Sequence, residues 1–373
     1  MIVSSSIPRR SLLRAGLGLG AAALSLPGLA GCAKQAASGS AGDGLALDAP
    51  LPDAVPPGTE VAIGDPTTQW VLQHTGLADK LPFKVRWEHM TGGPEVTEAF
   101  NAKALDVGLG ASVPPIHAVW VGIPVKVIAF RLRQDPLNHP SYLLGLAPKS
   151  GVQTLADLKG KKIAFSPSQV QGEIVLRTLK AQGLTPQDVS LVELPSSIGG
   201  DVYTNALASN LVDVAPIGAG VVANRYLKKF GGEGAKVIKH PGFRDDALNV
   251  FVREDVLRDP AKAAALKHYV RAWAWAQNWI ATHRDDWING YYVGDQGLTP
   301  ADGALIVDAA GQPDVPSNWD GAVAYQQGVI DVMASQAGQK AFPAETLFDR
   351  RFQTLAADTI AQAHAVGDGP IAV

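Results

Sequence analysis

Four segments of this chain carry small, hydrogen-bonding residues suited to holding an anion: Asp65-Pro66-Thr67-Thr68-Gln69, Thr91-Gly92-Gly93-Pro94, Ala111-Ser112-Val113-Pro114, and Ser166-Pro167-Ser168-Gln169-Val170-Gln171-Gly172. Each leads into a stretch of helical periodicity. Each would therefore present unpaired backbone N–H groups and the positive end of a helix dipole at one spot. Any one of them is an ordinary cap or turn; four of like chemistry point to a shared cleft that binds an anion with few charged side chains. Arg131 and Arg133 follow a strand and read as solvated hinge charges, with a salt bridge to a ligand as the second reading. His74, His89, His117, His139 and His240 are scattered without His-x-x-x-His spacing, so no metal site is expected. There is no Gly-x-Ser-x-Gly, no phosphate-binding P-loop and no paired-carboxylate motif. Cys32 is the sole cysteine, which excludes an intramolecular disulfide, a cysteine-based zinc cluster and a Cys/His nucleophile in the body of the chain.

The elements that must position these loops alternate. The pattern predicts strands at 60–64, 83–90, 105–110 and 125–130, separated by helices at 68–74, at 95–103 with Pro94 in the first turn, and from Pro114-Pro115 with Ser112 as N-cap. A second unit begins near Tyr142. It holds strands at 142–146, 162–165, 190–194, 212–217 and 235–238, a short helix at 155–160 and a helix at 173–181. From Pro260 onward the pattern is helical, and Trp273, Trp275, Trp279 and Trp287 there read as packing residues. Alternation of this kind predicts α/β domains with mostly parallel sheets, whose ligands sit beyond the carboxyl ends of the strands.

The front of the chain predicts export and anchoring. Pro8-Arg9-Arg10-Ser11-Leu12-Leu13-Arg14 is followed by a weakly apolar run, Ala15 to Leu26, and no acidic residue precedes Asp43. The run is too short and Gly-rich for a membrane span and reads as a signal segment. The arginine pair resembles a twin-arginine export signal, and Leu29-Ala30-Gly31-Cys32 resembles a lipobox, in which the cysteine is acylated. Residues 1–31 are thus expected to be a signal peptide. Residues 32–58 are expected to be an anchor and flexible tether, with a reach of roughly 30 Å. The whole chain is 46% hydrophobic and 18% charged with a net charge of −3, which offers no general attraction to nucleic acid.

The ordered set Gly92-Gly93-Pro94, Glu98-Ala99-Phe100-Asn101-Ala102, Leu105-Asp106-Val107-Gly108, Ser112-Val113-Pro114-Pro115-Ile116 and Ala156-Asp157-Leu158-Lys159-Gly160-Lys161-Lys162-Ile163-Ala164 resembles the solute-binding proteins of ABC importers for aliphatic sulfonates, taurine and nitrate. The resemblance implies a two-lobed, periplasmic-binding-protein-like type II α/β fold, each lobe a mostly parallel sheet flanked by helices. Lobe 1 would span 59–134 and 246–373, and lobe 2 would span 135–245. It implies capture of a small organic anion by hinge closure, delivery to a permease and its ATPase, and a monomer without catalytic activity, cofactor or nucleic-acid partner, held on the extracytoplasmic face of the membrane. By similarity, Thr67, Thr68, Gly93, Ser112, Gln169 and Gln171 face ligand, and Gln69, Gly92 and Gly218 complete the expected set. Where relatives often carry an aromatic-Asp-Pro segment this chain has Gly218-Ala219-Gly220, so a roomier pocket is expected unless Trp70, Trp120 or Phe243 rebuilds the wall. The alternatives are an enzyme on the same fold, such as the family's pyrimidine-synthesis relatives, and a sensory lipoprotein that presents its ligand to a receptor.

Overall fold

The computed structural model describes residues 44–367, apart from Thr91 and residues 196–200. The expected signal peptide, Cys32 and residues 33–43 of the expected tether lie outside the described residues, as does Thr91 of the second loop. Residues 44–58 are not a tether. Leu47, Leu51 and Val55 pack on the core of lobe 1, Leu45 N–H bonds to the Arg258 carbonyl at 2.7 Å, and Arg351 reaches the Ala49 carbonyl at 2.9 Å. Three aliphatic side chains spaced four residues apart supply the apolar burial that the rest of the segment lacks.

The chain starts lobe 1 with β1 (Glu60–Gly64), α1 (Pro66–His74), β2 (Lys84–Trp87), α2 (Gly93–Asn101), β3 (Val107–Gly110), α3 (Val113–Trp120) and β4 (Val125–Arg133). It crosses into lobe 2 for β5 (Tyr142–Leu146), β6 (Lys162–Phe165), α4 (Val170–Ala181), β7 (Ser190–Glu193), α5 (Asp201–Ala208), β8 (Val214–Gly218), α6 (Val221–Phe230) and β9 (Lys236–Ile238). It returns through β10 (Leu248–Arg253), α7 (Glu254–Arg258), the long α8 (Pro260–Thr282) and the single turn α9 (Arg284–Asp286). A π-wound segment (Trp287–Asp295), α10 (Pro300–Ala310), β11 (Pro313–Asp314), α11 (Asp320–Ala337) and α12 (Leu355–Ala365) complete it. The first sheet has the order β11-β4-β10-β3-β1-β2 and the second β7-β6-β8-β5-β9.

Both sheets are mixed rather than mostly parallel. In the first, β1, β2 and β3 run parallel, but β10 is antiparallel to both β3 and β4. In the second, β5 runs against β8 and β9. The reason lies in the crossings: the strand entering each lobe from the other arrives without a βαβ return, so nothing obliges it to run with its neighbours.

Alternation along the strands of lobe 2 buries both faces. Ile163 and Val214 face one layer with Ile174, Val175 and Leu179 of α4, while Ala164 and Ala215 face Tyr203 and Leu207 of α5. Lobe 1 centres on Ile63, Phe100, Phe251, Tyr269 and Trp273, with Phe100 and Phe251 edge to face at 5.3 Å. Each such side chain contributes about 1.5–3 kcal/mol on burial. The crossings are tied to each other. Asp245 accepts from the Ser141 and Tyr142 amides at 2.9 and 2.8 Å, and Arg244 bonds both Asp246 and the Arg133 carbonyl.

Candidate functional site

Helix α1 is capped by Asp65, whose carboxylate takes the Thr68 N–H at 3.0 Å, the Thr67 hydroxyl at 2.9 Å and the Tyr269 hydroxyl at 2.8 Å. Pro66 in the first turn and Asp65 before it give this helix a rigid start at the carboxyl end of β1. Beside it opens a cavity of about 630 Å³. Thr67, Leu109 and the two arginines of β4 line it, together with Trp287 and Tyr292 of the π-wound segment and Ile306 to Ala310 of α10.

Arg131 lies in this cavity rather than in solvent. Burial pushes its guanidinium down to about 10, and the neighbouring positive charge of Arg133 adds to the shift. It remains charged at neutral pH. Its hydrogen-bond partner is neutral: Nη1 donates to Gln277 Oε1 of α8 at 3.0 Å, and no carboxylate of the described residues lies within ion-pair distance of it. Arg133 differs. Its Nη1 is committed to the carbonyls of His139 and Ala309, at 2.5 and 3.1 Å, and its backbone N–H goes to Asp246. The two residues occupy alternate positions of one strand, so both project from the same face. A half-buried cation hydrogen-bonded to a neutral amide, with Asp65 and Asp246 acting on it only at longer range, is suited to meet a negative charge in the cavity.

The expected site residues fall into two groups. Thr67 lines the cavity, with Thr68 buried behind it and Gln69 partly buried in the next position of α1. Gly92, Gly93, Ser112, Gln169 and Gln171 meet at a seam where the lobes touch directly. A Cβ on Gly92 would sit 3.6 Å from Gln169 Nε2, and one on Gly93 would collide with Pro114 at 2.8 Å. Gln171 Nε2 approaches the Tyr142 hydroxyl at 3.4 Å, and its Oε1 has no partner. Ser112 makes no cap bond to α3; its hydroxyl instead donates to Glu173 of lobe 2. A buried carboxylate is a stronger acceptor than anything a cap would offer that hydroxyl. Gly218 ends β8, opposite Tyr142.

The wall missing at Gly218-Ala219-Gly220 is rebuilt by none of the three anticipated aromatics. Trp70 stacks on His74 at 4.4 Å, Trp120 donates to the Lys340 carbonyl, and Phe243 stacks on His240 at 4.3 Å. Helix α10 fills the place. A Cβ on Gly220, at φ 76°, would lie 3.0 Å from the Leu305 carbonyl oxygen and 3.1 Å from Ala309 Cβ, so the small residues let the helix settle there. Arg225 of α6 ties it to lobe 2 through Asp302 at 2.8 Å, and Arg284 meets Asp308 at 2.8 Å near the opening. Gln277, Trp287, Tyr292 and α10 were not foreseen as site components. The signal available was weak: a Gln beside an Asn among the tryptophans of α8.

Among the described residues no cluster of His, Cys, Asp or Glu could hold a metal ion, and no helix is long and apolar enough to cross a membrane. A model of the NMT1/THI5-like family matches residues 84–278, just over half of the chain. An Escherichia coli (strain K12) protein provisionally named aliphatic sulfonates-binding is 30% identical over 106 residues, which cover 28% of this chain and 32% of that protein. A Haemophilus influenzae protein provisionally named for thiamine biosynthesis is 33% identical over 105 residues, covering 28% of this chain and 32% of its own length. The chain thus aligns with about a third of the length of these curated relatives. Similar solved structures include the periplasmic aliphatic sulphonate binding protein SsuA from Escherichia coli, with TM-score 0.63 and 20% identity over 79% of this chain and 92% of that one. The alkanesulfonate-binding SsuA from Xanthomonas axonopodis pv. citri, solved with MOPS, gives 0.62 and 20% over 82% and 98%. The desulfurization enzyme DSZB, in complex with biphenyl-2-sulfinic acid, gives 0.55 and 13% over 82% and 99%. The fold is the two-lobed periplasmic-binding-protein type II architecture, and the chain belongs to the NMT1/THI5-like family.

Proposed function

We propose that this chain is a non-catalytic solute-binding protein of an ABC importer, which captures an organic sulfonate in the cavity beside Arg131 and delivers it to a permease driven by its ATPase. The observation that carries the reading is the half-buried guanidinium of Arg131, paired with a neutral amide inside a cavity of about 630 Å³. That volume exceeds what taurine or nitrate would fill, and Trp287 and Tyr292 offer an aromatic body a stacking surface, so the preferred ligand is a larger or aromatic sulfonate. The names of the SsuA proteins support sulfonate over other anions. Export by the twin-arginine route and anchoring through Cys32 on the extracytoplasmic face belong to the same proposal. So do the monomeric state and the lobe boundaries near 134 and 246.

The test is calorimetric titration of the full chain with benzenesulfonate, taurine, nitrate and phosphate, with product analysis of each mixture, since DSZB is an enzyme of the same fold. Benzenesulfonate is expected to bind most tightly and be recovered unchanged. Arg131→Gln should weaken it about 10- to 100-fold, the loss of one or two charge-assisted hydrogen bonds. The unfolding temperature should hold or rise, because a half-buried cation with no direct ion-pair partner is gone. Wild-type affinity in Arg131→Gln, or a series that peaks at nitrate, would sink the assignment, and conversion of the sulfonate would favour an enzyme.

A further inference from the structure

Glu173 stands in the first turn of α4, in lobe 2, and is fully buried. What buries it comes largely from the other lobe. The Ser112 hydroxyl before α3 donates to one carboxylate oxygen, and the Tyr325 hydroxyl of α11 lies 3.4 Å from the other. Ser112 is itself fixed, its carbonyl accepting from Gln326 Nε2 at 2.6 Å. One turn along α4, Arg177 Nε lies 3.0 Å from Glu173 Oε1. The Arg177 guanidinium is sandwiched between the ring of Phe243 on the return crossing, at 5.4 Å, and that of Tyr325, at 5.3 Å. The remaining charges facing this cluster also belong to the return crossing: Asp245, Asp246, and His240, whose Nε2 lies 3.2 Å from Asp245. If the lobes part, Glu173 loses Ser112, Tyr325 and much of its cover at once, and water replaces them.

We propose that Glu173 is a protonation-sensitive latch between the lobes, closing the protein on its ligand more firmly as the medium acidifies. Its link to anion binding rests on the function proposed above; the latch itself does not.

The direction follows from burial. In the closed arrangement desolvation raises the Glu173 carboxyl to about 7; Arg177 and the Ser112 and Tyr325 hydroxyls offset part of this, and Asp245 adds to it. Exposed in an open form, the carboxyl returns toward the ordinary range near 4.3. The closed form therefore holds the proton more tightly. Closure is strengthened as pH falls through about 7, and the gain levels off once the open form is protonated too. His240 opposes this. Burial depresses its pKa, but Asp245 and the Pro241 carbonyl more than compensate and raise it, so protonated His240 lends Glu173 positive charge in the same window.

The experiment measures the radius of gyration of the ligand-free full chain by X-ray scattering at about pH 8.5 and 5.5, and the benzenesulfonate Kd at both. The wild type should be more compact at the lower pH and bind on the order of tenfold more tightly. Glu173→Gln, which mimics the protonated acid, should be compact and tight at both. A pH-independent wild type, or a Glu173→Gln protein that keeps the full response, overturns the latch; the second result would place the titrating group elsewhere. Should Glu173→Gln fail to fold, Ser112→Ala removes one of the two lobe 1 hydroxyls on Glu173 and should be less compact than wild type at both pH values; wild-type dimensions there also overturn it. Compaction on acidification without benzenesulfonate binding leaves the latch standing and the ligand reading refuted. Binding with neither Kd nor dimensions responding to pH does the reverse.

Discussion

A guanidinium in a protein interior normally keeps a carboxylate beside it, because an unpaired buried charge costs several kcal/mol. Arg131 has Gln277 at hydrogen-bond distance, with Asp65 and Asp246 acting on it only at longer range, an arrangement that leaves room for a negative charge to arrive with a ligand. Gln277→Glu is therefore informative. It should pair internally with Arg131, raise the unfolding temperature at neutral pH, and lower benzenesulfonate affinity at least 100-fold, about 2.7 kcal/mol or more. Calorimetry and thermal unfolding on the same samples check both signs; an affinity within threefold of wild type would mean the anion is bound elsewhere. At this scale the sequence was only half legible. The Asp65-Pro66-Thr67-Thr68 cap could be read directly, because capping is local. The role of Arg131 could not, because it depends on a partner 146 positions away on α8.

Elements were easier to read, since hydrophobic periodicity is a local signal. Strands at 60–64, 142–146 and 162–165 match the expected spans, while β10 and β11 add strands to those read from the pattern. The sense of the sheets was misjudged, because strand direction is set by the crossings and not by composition. The placement of α10 was illegible for a related reason: its own sequence is weakly patterned, and its position depends on how little stands at Gly220. Gly220→Ala should cost about 1–3 kcal/mol, from a side chain forced into the positive-φ region and pressed on Leu305 and Ala309. It should lower the unfolding temperature measurably and weaken benzenesulfonate binding by loosening the wall. Gly231→Ala, at φ −61° with open space around its Cβ position, is the matched control and should leave both unchanged. Equal unfolding temperatures for the two variants would show that α10 does not depend on that close approach.

For the whole molecule, the decisive geometry is two sheets joined by tied crossings, with a cavity beside one end of the hinge and a buried carboxylate across the seam. Under the proposed function, a lipid anchor at Cys32 would keep such a body near the membrane without fixing its orientation. The packing of residues 44–58 on lobe 1 removes them from the tether expected after Cys32. Cys32→Ser should move the protein from the membrane fraction to the soluble fraction with its unfolding temperature unchanged, since the substitution lies outside the folded unit that begins at Gly44. Two acyl chains suffice for stable membrane attachment where one gives only marginal binding, so the shift should be nearly complete. Retention of Cys32→Ser in the membrane fraction would mean that something other than this cysteine holds it there. Replacing Arg9 and Arg10 together by Lys tests the route separately: precursor should accumulate if the twin-arginine pathway carries the chain, and normal export would assign it to the general secretory pathway.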